Sequence, residues 1–468
     1  MINASVYFSA SGLLVVGMLF GLACLSKVRT AVMGNRLSAV CVALAILFAL
    51  LRHDPASLQP GLIIWPIVLG TIFGLWWAGR VRMIAMPQTI AMLKSFCGAA
   101  AAVVGVIKLF EGADDLFSLI TAGLALAVGM VTLAGSLVAA GKLSGRLNQR
   151  PVVWPGHQIL TALALGLSLF WAGTAGCPFL PAWLTVTACA AFSGFLGVSF
   201  AIRIGGADMP ITISLLNSLS GTAIASAGMS VGDPLLISVG GVVGSAGLLL
   251  TQSMCHAMNR GLSDILMGRT SVAAAASSSP AAAPMAEAAP AGPEAGPEPA
   301  ADLGAILRSA RRVIIIPGYG MALAQAQAQV KELADKLEAG GALVDYAIHP
   351  VAGRMPGHMN VLLAEVAVPY EQLKEMDEIN PAFPECDLAF VVGANDVINP
   401  AAHTAEGTPI YGMPVLAVEA ARHIIICNLD LKPGYAGVDN PLYKNPKAAL
   451  LLGDAVETVG GLIEKLRK

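Results

Sequence analysis

Mostly apolar stretches separated by short polar turns fill the first 254 residues, over 6–25, 37–51, 61–79, 87–109, 116–140, 158–173, 179–202, 209–229 and 234–254. A helix that crosses a bilayer needs roughly 20 such residues. The pattern therefore predicts an α-helical transmembrane bundle of about nine spans, the second and sixth being short. From residue 302 the pattern changes. Short runs rich in β-branched residues predict strands over 313–316, 342–348, 388–392, 414–418 and 423–427, with helices over 322–339, 359–366 and 453–466. Strands alternating with helices predict an α/β, Rossmann-like, doubly wound parallel sheet.

Composition sharpens the division. The chain is 56% hydrophobic and 12% charged, and only seven of its 30 acids precede residue 270. Between the halves, residues 270–301 are Ala/Pro-rich and read as an extended linker that buries little. The expected domains are thus 1–269, 270–301 and 302–468. Basic residues flank alternate spans: Lys27, Arg29 and Arg36, then Arg80 and Arg82, then Lys142, Arg146 and Arg150, then Arg203, then Arg260 and Arg269. By the positive-inside rule those loops and the C-terminal domain are cytoplasmic, and the N-terminus is outside. The first apolar stretch reads as a span and not as a cleaved signal. The eight cysteines form no C-x-x-C pair or zinc spacing, so no metal site is expected. A net charge of −2 gives no sign of a nucleic-acid partner.

Candidate chemistry lies in the turns after the strands. Gly318-Tyr319-Gly320-Met321 follows the first strand and opens a helix, the arrangement that presents backbone to a dinucleotide pyrophosphate. Val351-Ala352-Gly353-Arg354 follows the second, and Arg354 could grip phosphate through a forked hydrogen bond. Gly393-Ala394-Asn395-Asp396 follows the next; Asn395 and Asp396 could orient a nicotinamide amide or carry a proton, or the segment could be a turn only. His349 and His358 read as structural. The stretch from Gly434-Tyr435 to Tyr443 could form a lid. Within the spans, Lys94, Asn217 and Asp208 are the informative polar groups. Lys94 could snorkel to the interface and Asn217 could bond a neighbouring helix; alternatively the three form a polar path for protons.

Several of these segments together resemble a known family. They are Pro317-Gly-Tyr-Gly-Met-Ala, His349 through Glu365, Glu375 through Asn380, Gly393-Ala-Asn-Asp, Gly434 through Leu442, Gly205 through Pro210 and Cys255 through Arg260. The chain resembles the beta subunit of bacterial proton-translocating nicotinamide nucleotide transhydrogenase. The resemblance implies an inner-membrane protein whose C-terminal domain binds NADP(H). It implies an alpha-subunit partner carrying NAD(H), self-association into a dimeric complex within membrane lipid, and hydride transfer coupled to proton movement. It assigns Gly318, Gly320 and Arg354 to the cofactor phosphates, Asp396 to the nicotinamide and the coupling machinery, and Tyr435 to the closing loop. Asp208 and Asn217 belong to the membrane path.

Three departures from the family's pattern stand out, one of them Thr222, where some members carry Trp. Lys94 stands where His or Asn is common. Asn428-Leu429-Asp430 stands where Lys-Arg-Ser grips the 2′-phosphate, with Lys432 two residues further on, so a preference for NAD(H) is the alternative. Rival readings from other classes are a membrane transporter that senses nucleotide and a non-catalytic assembly subunit.

Overall fold

The computed structural model describes residues 4–25, 28–52, 60–81, 85–112, 115–148, 152–177, 179–205, 209–257, 261–262, 303–353, 357–406, 408, 410–434 and 436–467. The 270–301 segment, Asp208, Arg354 and Tyr435 lie outside them.

In the helical unit, helices occupy every predicted span: α1 (Ala4–Leu25), α2 (Val28–Arg52), α3 (Pro60–Ala78), α4 (Met86–Glu111), α5 (Leu116–Leu143), α6 (His157–Gly173), α7 (Ala182–Arg203), α8 (Met209–Val231) and α9 (Pro234–Ala257). Seven are long and apolar enough to cross a membrane. The other two are α3, whose described apolar window is the short Ile64–Ala78, and α8, which carries a column of Ser, Thr and Asn. The short sixth span gains length from a 3-10 turn, Thr174–Gly176. The second starts nine residues before its expected 37 (37 − 28), because the helix runs on through Asn35 and Arg36. Pro87 sits in the first turn of α4, where its missing N–H is not needed. Asp115 caps α5 by accepting from the Phe117 N–H at 3.2 Å.

Lipid offers no hydrophobic drive for helices to associate, so close van der Waals contact between small residues holds them. A Cβ on Gly98 would lie 2.7 Å from the Gly129 carbonyl oxygen, which sets the approach of α4 to α5. Between α8 and α9, a Cβ on Gly221 would lie 2.3 Å from the Gly244 nitrogen. Leu13, Trp65, Phe73, Leu163 and Phe170 are exposed outward, as an apolar solvent allows.

The second unit is built on a six-stranded, all-parallel sheet in the order β3-β2-β1-β4-β5-β6. After α10 (Leu303–Ser309) come β1 (Arg312–Pro317), α11 (Tyr319–Ala324), α12 (Gln327–Ala339), β2 (Leu343–Ile348) and α13 (His358–Glu365). Next are β3 (Leu373–Glu375), α14 (Met376–Ile379), β4 (Leu388–Val392), α15 (Ala401–Thr404), β5 (His423–Asn428), β6 (Ala448–Leu452) and α16 (Ala455–Arg467). β1, β4 and β5 are buried on both faces, which their unbroken aliphatic runs require.

The expected helix over 322–339 is two helices, broken at Gln325, whose φ is +56°. The expected strand over 414–418 is not one. Pro414 has no N–H to offer a ladder. The stretch is tied instead by the Asn380 side chain, which donates to Val415 O and accepts from the Ala417 N–H, and by Leu416 N–H to Val397 O.

Candidate functional site

β1 and β4 are neighbours at the centre of the sheet, and the connections that leave them lead to opposite halves of it. That reversal opens a crevice at the carboxyl ends of the two strands, where ligands of open α/β sheets bind. Here the two turns interlock backbone to backbone. The Gly318 N–H donates to Val392 O and the Gly320 N–H to Gly393 O, both at 2.8 Å. Gly393 has φ +65°, and a Cβ there would meet the Met321 nitrogen at 2.3 Å. The glycines at 318 and 320 therefore serve first to let two loops touch, and their N–H groups are engaged in doing so. Met321 is fully buried and belongs to the core, while Tyr319 is half-buried at the head of α11.

The segment after β5 folds down over the turn after β4, held along its length by side-chain amides and a carboxylate. Asn395 donates to Lys432 O at 3.0 Å. Asp396 accepts from the Ala436 N–H at 3.0 Å, and a Cβ on Gly434 would lie 2.5 Å from its Oδ1. Asn399 donates to Asp439 O at 3.2 Å, and Asn440 to the Asn395 carbonyl and side-chain oxygens at 3.3 and 3.1 Å. Asn428 donates to Ala394 O at 3.0 Å and to Tyr443 Oη at 2.8 Å. Five predicted residues thus meet in one place: Asn395, Asp396, Asn428, Lys432 and Gly434.

The sequence places Asn440 and Tyr443 only within a possible lid and gives Asn380 and Asn399 no role of their own. A signal existed: all three asparagines precede proline. Asn399 and Asn440 each accept from the N–H two residues on, at 3.0 Å, closing a local turn and leaving the amide NH₂ free to reach across.

Asn428 turns inward and is 8% exposed, so its side chain faces the β4 turn. Leu429 beside it is exposed, and Asp430 pairs with Lys432 at 3.6 Å (Oδ2 to Nζ). Val351, Ala352 and Gly353 form the turn after β2. The Val351 N–H donates to His349 Nδ1, and Gly353, with φ +102°, lies against the His358 ring. His349 Nε2 bonds Pro414 O at 2.9 Å. A carbonyl only accepts and an amide N–H only donates, so His349 is neutral with its proton on Nε2. Burial holds its pKa down at about 4. Both ring nitrogens of His349 are thus committed to backbone partners. Burial pushes the Tyr443 phenol up to about 12 and the Cys427 thiol up to about 12, so neither ionises near neutral pH. No acid ends β2: Asp345 lies inside the strand, its carboxyl raised by burial against the pull of Lys374 and Arg312. Among the described residues no cluster of His, Cys, Asp and Glu could hold a metal.

In the helical unit, Lys94 is half-buried on α4. Asn217 is half-buried on α8, its Nδ2 3.1 Å from where a Cβ on Gly247 would be. Around it Ser218 Oγ donates to Gly244 O at 2.7 Å, and Thr251 Oγ1 to Ser214 Oγ at 3.0 Å. Lys94 and Asn217 thus lie on different helices.

The crevice suits a dinucleotide in two respects: its floor is glycine backbone with no room for side chains, and its rim carries amide and carboxylate groups.

Comparison with known proteins bears on the same question. The profile of the family described as "NAD(P) transhydrogenase beta subunit" matches residues 4–465. Two relatives named "NAD(P) transhydrogenase subunit beta", from Rhodospirillum rubrum and from a named strain of it, are each 42% identical over 469 residues. The match covers 97% of this chain and 98% of each relative.

Proposed function

The chain belongs to the NAD(P) transhydrogenase beta subunit family, and from that premise we propose how its two units work. The sheet unit binds NADP(H) across the β1/β4 crossover, an alpha subunit presents NAD(H), and hydride transfer between them is coupled to proton movement through the helical unit. The observation that carries this reading is the interlock of Gly318-Tyr319-Gly320 with Gly393 at the crossover, in a chain that also carries a membrane bundle.

When bound, NADP(H) supplies a nicotinamide that gives or takes a hydride. The chain supplies its surroundings. The glycine turns admit the pyrophosphate, and Arg354 neutralises phosphate charge. Asn395 holds the β5 segment in place through Lys432 O, and Asp396, anchored by the Ala436 N–H, serves the nicotinamide and the coupling machinery. Tyr435, between Gly434 and Ala436, belongs to the segment that closes over the cofactor. In the bundle, Asp208, Asn217 and Lys94 form a polar path for protons. The organisation is 1–269 for translocation, 270–301 as linker and 302–468 for the cofactor. The complex lies in the bacterial inner membrane with the sheet unit cytoplasmic, and two copies associate.

A second reading concerns the cofactor alone. Lys432, two residues beyond Asp430, is paired with that acid, which favours NAD(H) over NADP(H). Titration of the full chain with NADPH and with NADH tests both. Binding of NADP(H) below millimolar supports the first reading. Tighter NADH binding selects the second, and binding of neither removes the enzyme reading.

A further inference from the structure

The sheet of the second unit is polarised by charge. All its strands are parallel, so their amino ends share one edge and their carboxyl ends the other. Bases gather at the amino edge. Arg311 and Arg312 stand at the start of β1, Arg422 just before β5 and Lys447 just before β6. The acids among them are Glu385, Asp387 and Glu419. Arg312 pairs with Glu385, and Arg422 with Asp387 at 3.0 Å. The Arg311 guanidinium and the Lys447 ammonium donate instead to backbone carbonyls, Gly340 O and Ala421 O, each at 3.2 Å. A carbonyl accepts a hydrogen bond without cancelling the charge, so both cations still act on whatever lies outside. Leu343 begins β2 in register with Arg312 and is 59% exposed. Its N–H is held by Arg311 O at 2.7 Å, which fixes an apolar side chain beside the arginines. Among the described residues the carboxyl edge has the opposite sign. Glu375 ends β3, and Asp396, Asp430 and Asp454 follow β4, β5 and β6, against Lys432.

An anionic bilayer surface matches the amino edge and repels the carboxyl edge. Its negative potential attracts each nearby Lys or Arg, and it reaches about 8 Å at physiological salt. The apolar stems of Arg and Lys lie well along the boundary between headgroups and acyl chains, where an exposed leucine is also accommodated. A soluble acidic partner would meet the same charges, but the bilayer is kept near this edge by the chain itself. The membrane helices lie upstream in sequence, and the chain enters the sheet at this edge, α10 ending at Ser309 just before Arg311. Tethering of this kind makes weak contacts effective. Docked by its amino edge, the unit would hold the crevice at the carboxyl ends of β1 and β4 away from lipid, open to a soluble partner.

We propose that the amino edge of the sheet, centred on Arg311, Arg422 and Leu343, docks on anionic lipid headgroups. The inference rests on the reading above that places the sheet unit on the cytoplasmic side of a bacterial membrane. Amide hydrogen exchange tests it, on the full chain in nanodiscs of phosphatidylcholine alone or mixed with phosphatidylglycerol. With phosphatidylglycerol present, the amides of Gly340, Gly341 and Ala342 in the turn beside Arg311 should exchange at least about fivefold more slowly. Those of Asn395 and Asp396 in the crevice should not change. High salt should abolish the difference between the two lipids, and so should the double variant Arg311→Gln/Arg422→Gln at low salt. Equal exchange in the two lipids overturns the proposal. So does slowing that survives high salt or the double substitution, and so does slowing that appears only once the alpha subunit is added, which marks a protein interface. If the double variant does not accumulate, the salt series on the unaltered chain decides. Nanodiscs expose both faces of the bilayer and exchange needs no turnover. Absence of hydride transfer with the alpha subunit in the same discs would therefore remove the functional reading and leave the exchange result standing.

Discussion

Gly318 and Gly393 touch backbone to backbone: a Cβ built on Gly318 would fall 2.1 Å from the Gly393 carbonyl oxygen. This contact joins the turns that leave the two central strands, and it sets the floor of the crevice.

Gly393→Ala is the direct probe of that floor. Alanine at φ +65° costs about 1–2 kcal/mol in backbone strain alone, and its methyl would strike the Met321 nitrogen. A destabilisation of at least about 2 kcal/mol is expected, with loss of nucleotide binding. Gly460→Ala in α16, with nothing within 4 Å, is the control and should stabilise by roughly 0.5–1 kcal/mol. Pulse proteolysis of the full chain in denaturant reads both.

His349 makes the stability of the sheet unit pH-dependent. Burial lowers its folded pKa from 6.5 to about 4. The unfolded chain therefore takes up a proton first as pH falls. The stabilisation is complete above pH 6.5, declines down to about pH 4 and then levels, at most by about 3 kcal/mol at 1.36 kcal/mol per unit. His349→Gln should flatten that slope. An equally steep profile in the variant would place the dependence on other groups.

The Asn428–Tyr443 bond closes the segment over the β4 turn. Tyr443→Phe leaves one Asn428 N–H without its partner at a site 8% exposed, a loss of about 1–2 kcal/mol. Amide exchange should quicken at Ala436 and Leu442, whose N–H groups are held within that segment. Unchanged exchange would show that Asn395 and Asn399 suffice.

On the second reading of the cofactor, Asp430 is the charge that a 2′ substituent would meet. Asp430→Ser frees Lys432 and removes an anion. The ratio of NADP(H) to NAD(H) affinity should rise about tenfold, the effect of one charge in a partly exposed site. Paired calorimetric titrations measure it, and no change in the ratio places 2′ recognition elsewhere.

Lys94→Ala tests the membrane path. If Lys94 carries protons, coupled proton movement in vesicles falls by at least about tenfold. Normal pumping would mean that the half-buried ammonium only snorkels.

Particular residues show what the sequence disclosed. Val313–Ile316 and Leu388–Val392 announce central strands because β-branched and aliphatic runs bury both faces. Ala448–Leu452 does not, because alanine and leucine lack strand preference and the segment is a strand only through its pairing with β5. β3, three residues with two charges, is an edge for the same reason. The glycine turns were legible as sites of close approach. That Gly320 approaches Gly393 follows from β1 and β4 being neighbours, which no local pattern encodes. The asparagine clasp was hidden likewise, since Asn399 and Asn440 meet their partners across about 40 residues of chain.

The central claim is that this chain couples hydride exchange to proton movement, and vesicles containing it with an alpha subunit test that most directly. Reduction of an NAD analogue by NADPH should move protons across the membrane in step with the hydride, and omitting the alpha subunit should stop both. Hydride transfer without proton movement would contradict the coupling, and proton movement without the alpha subunit would point to a transporter.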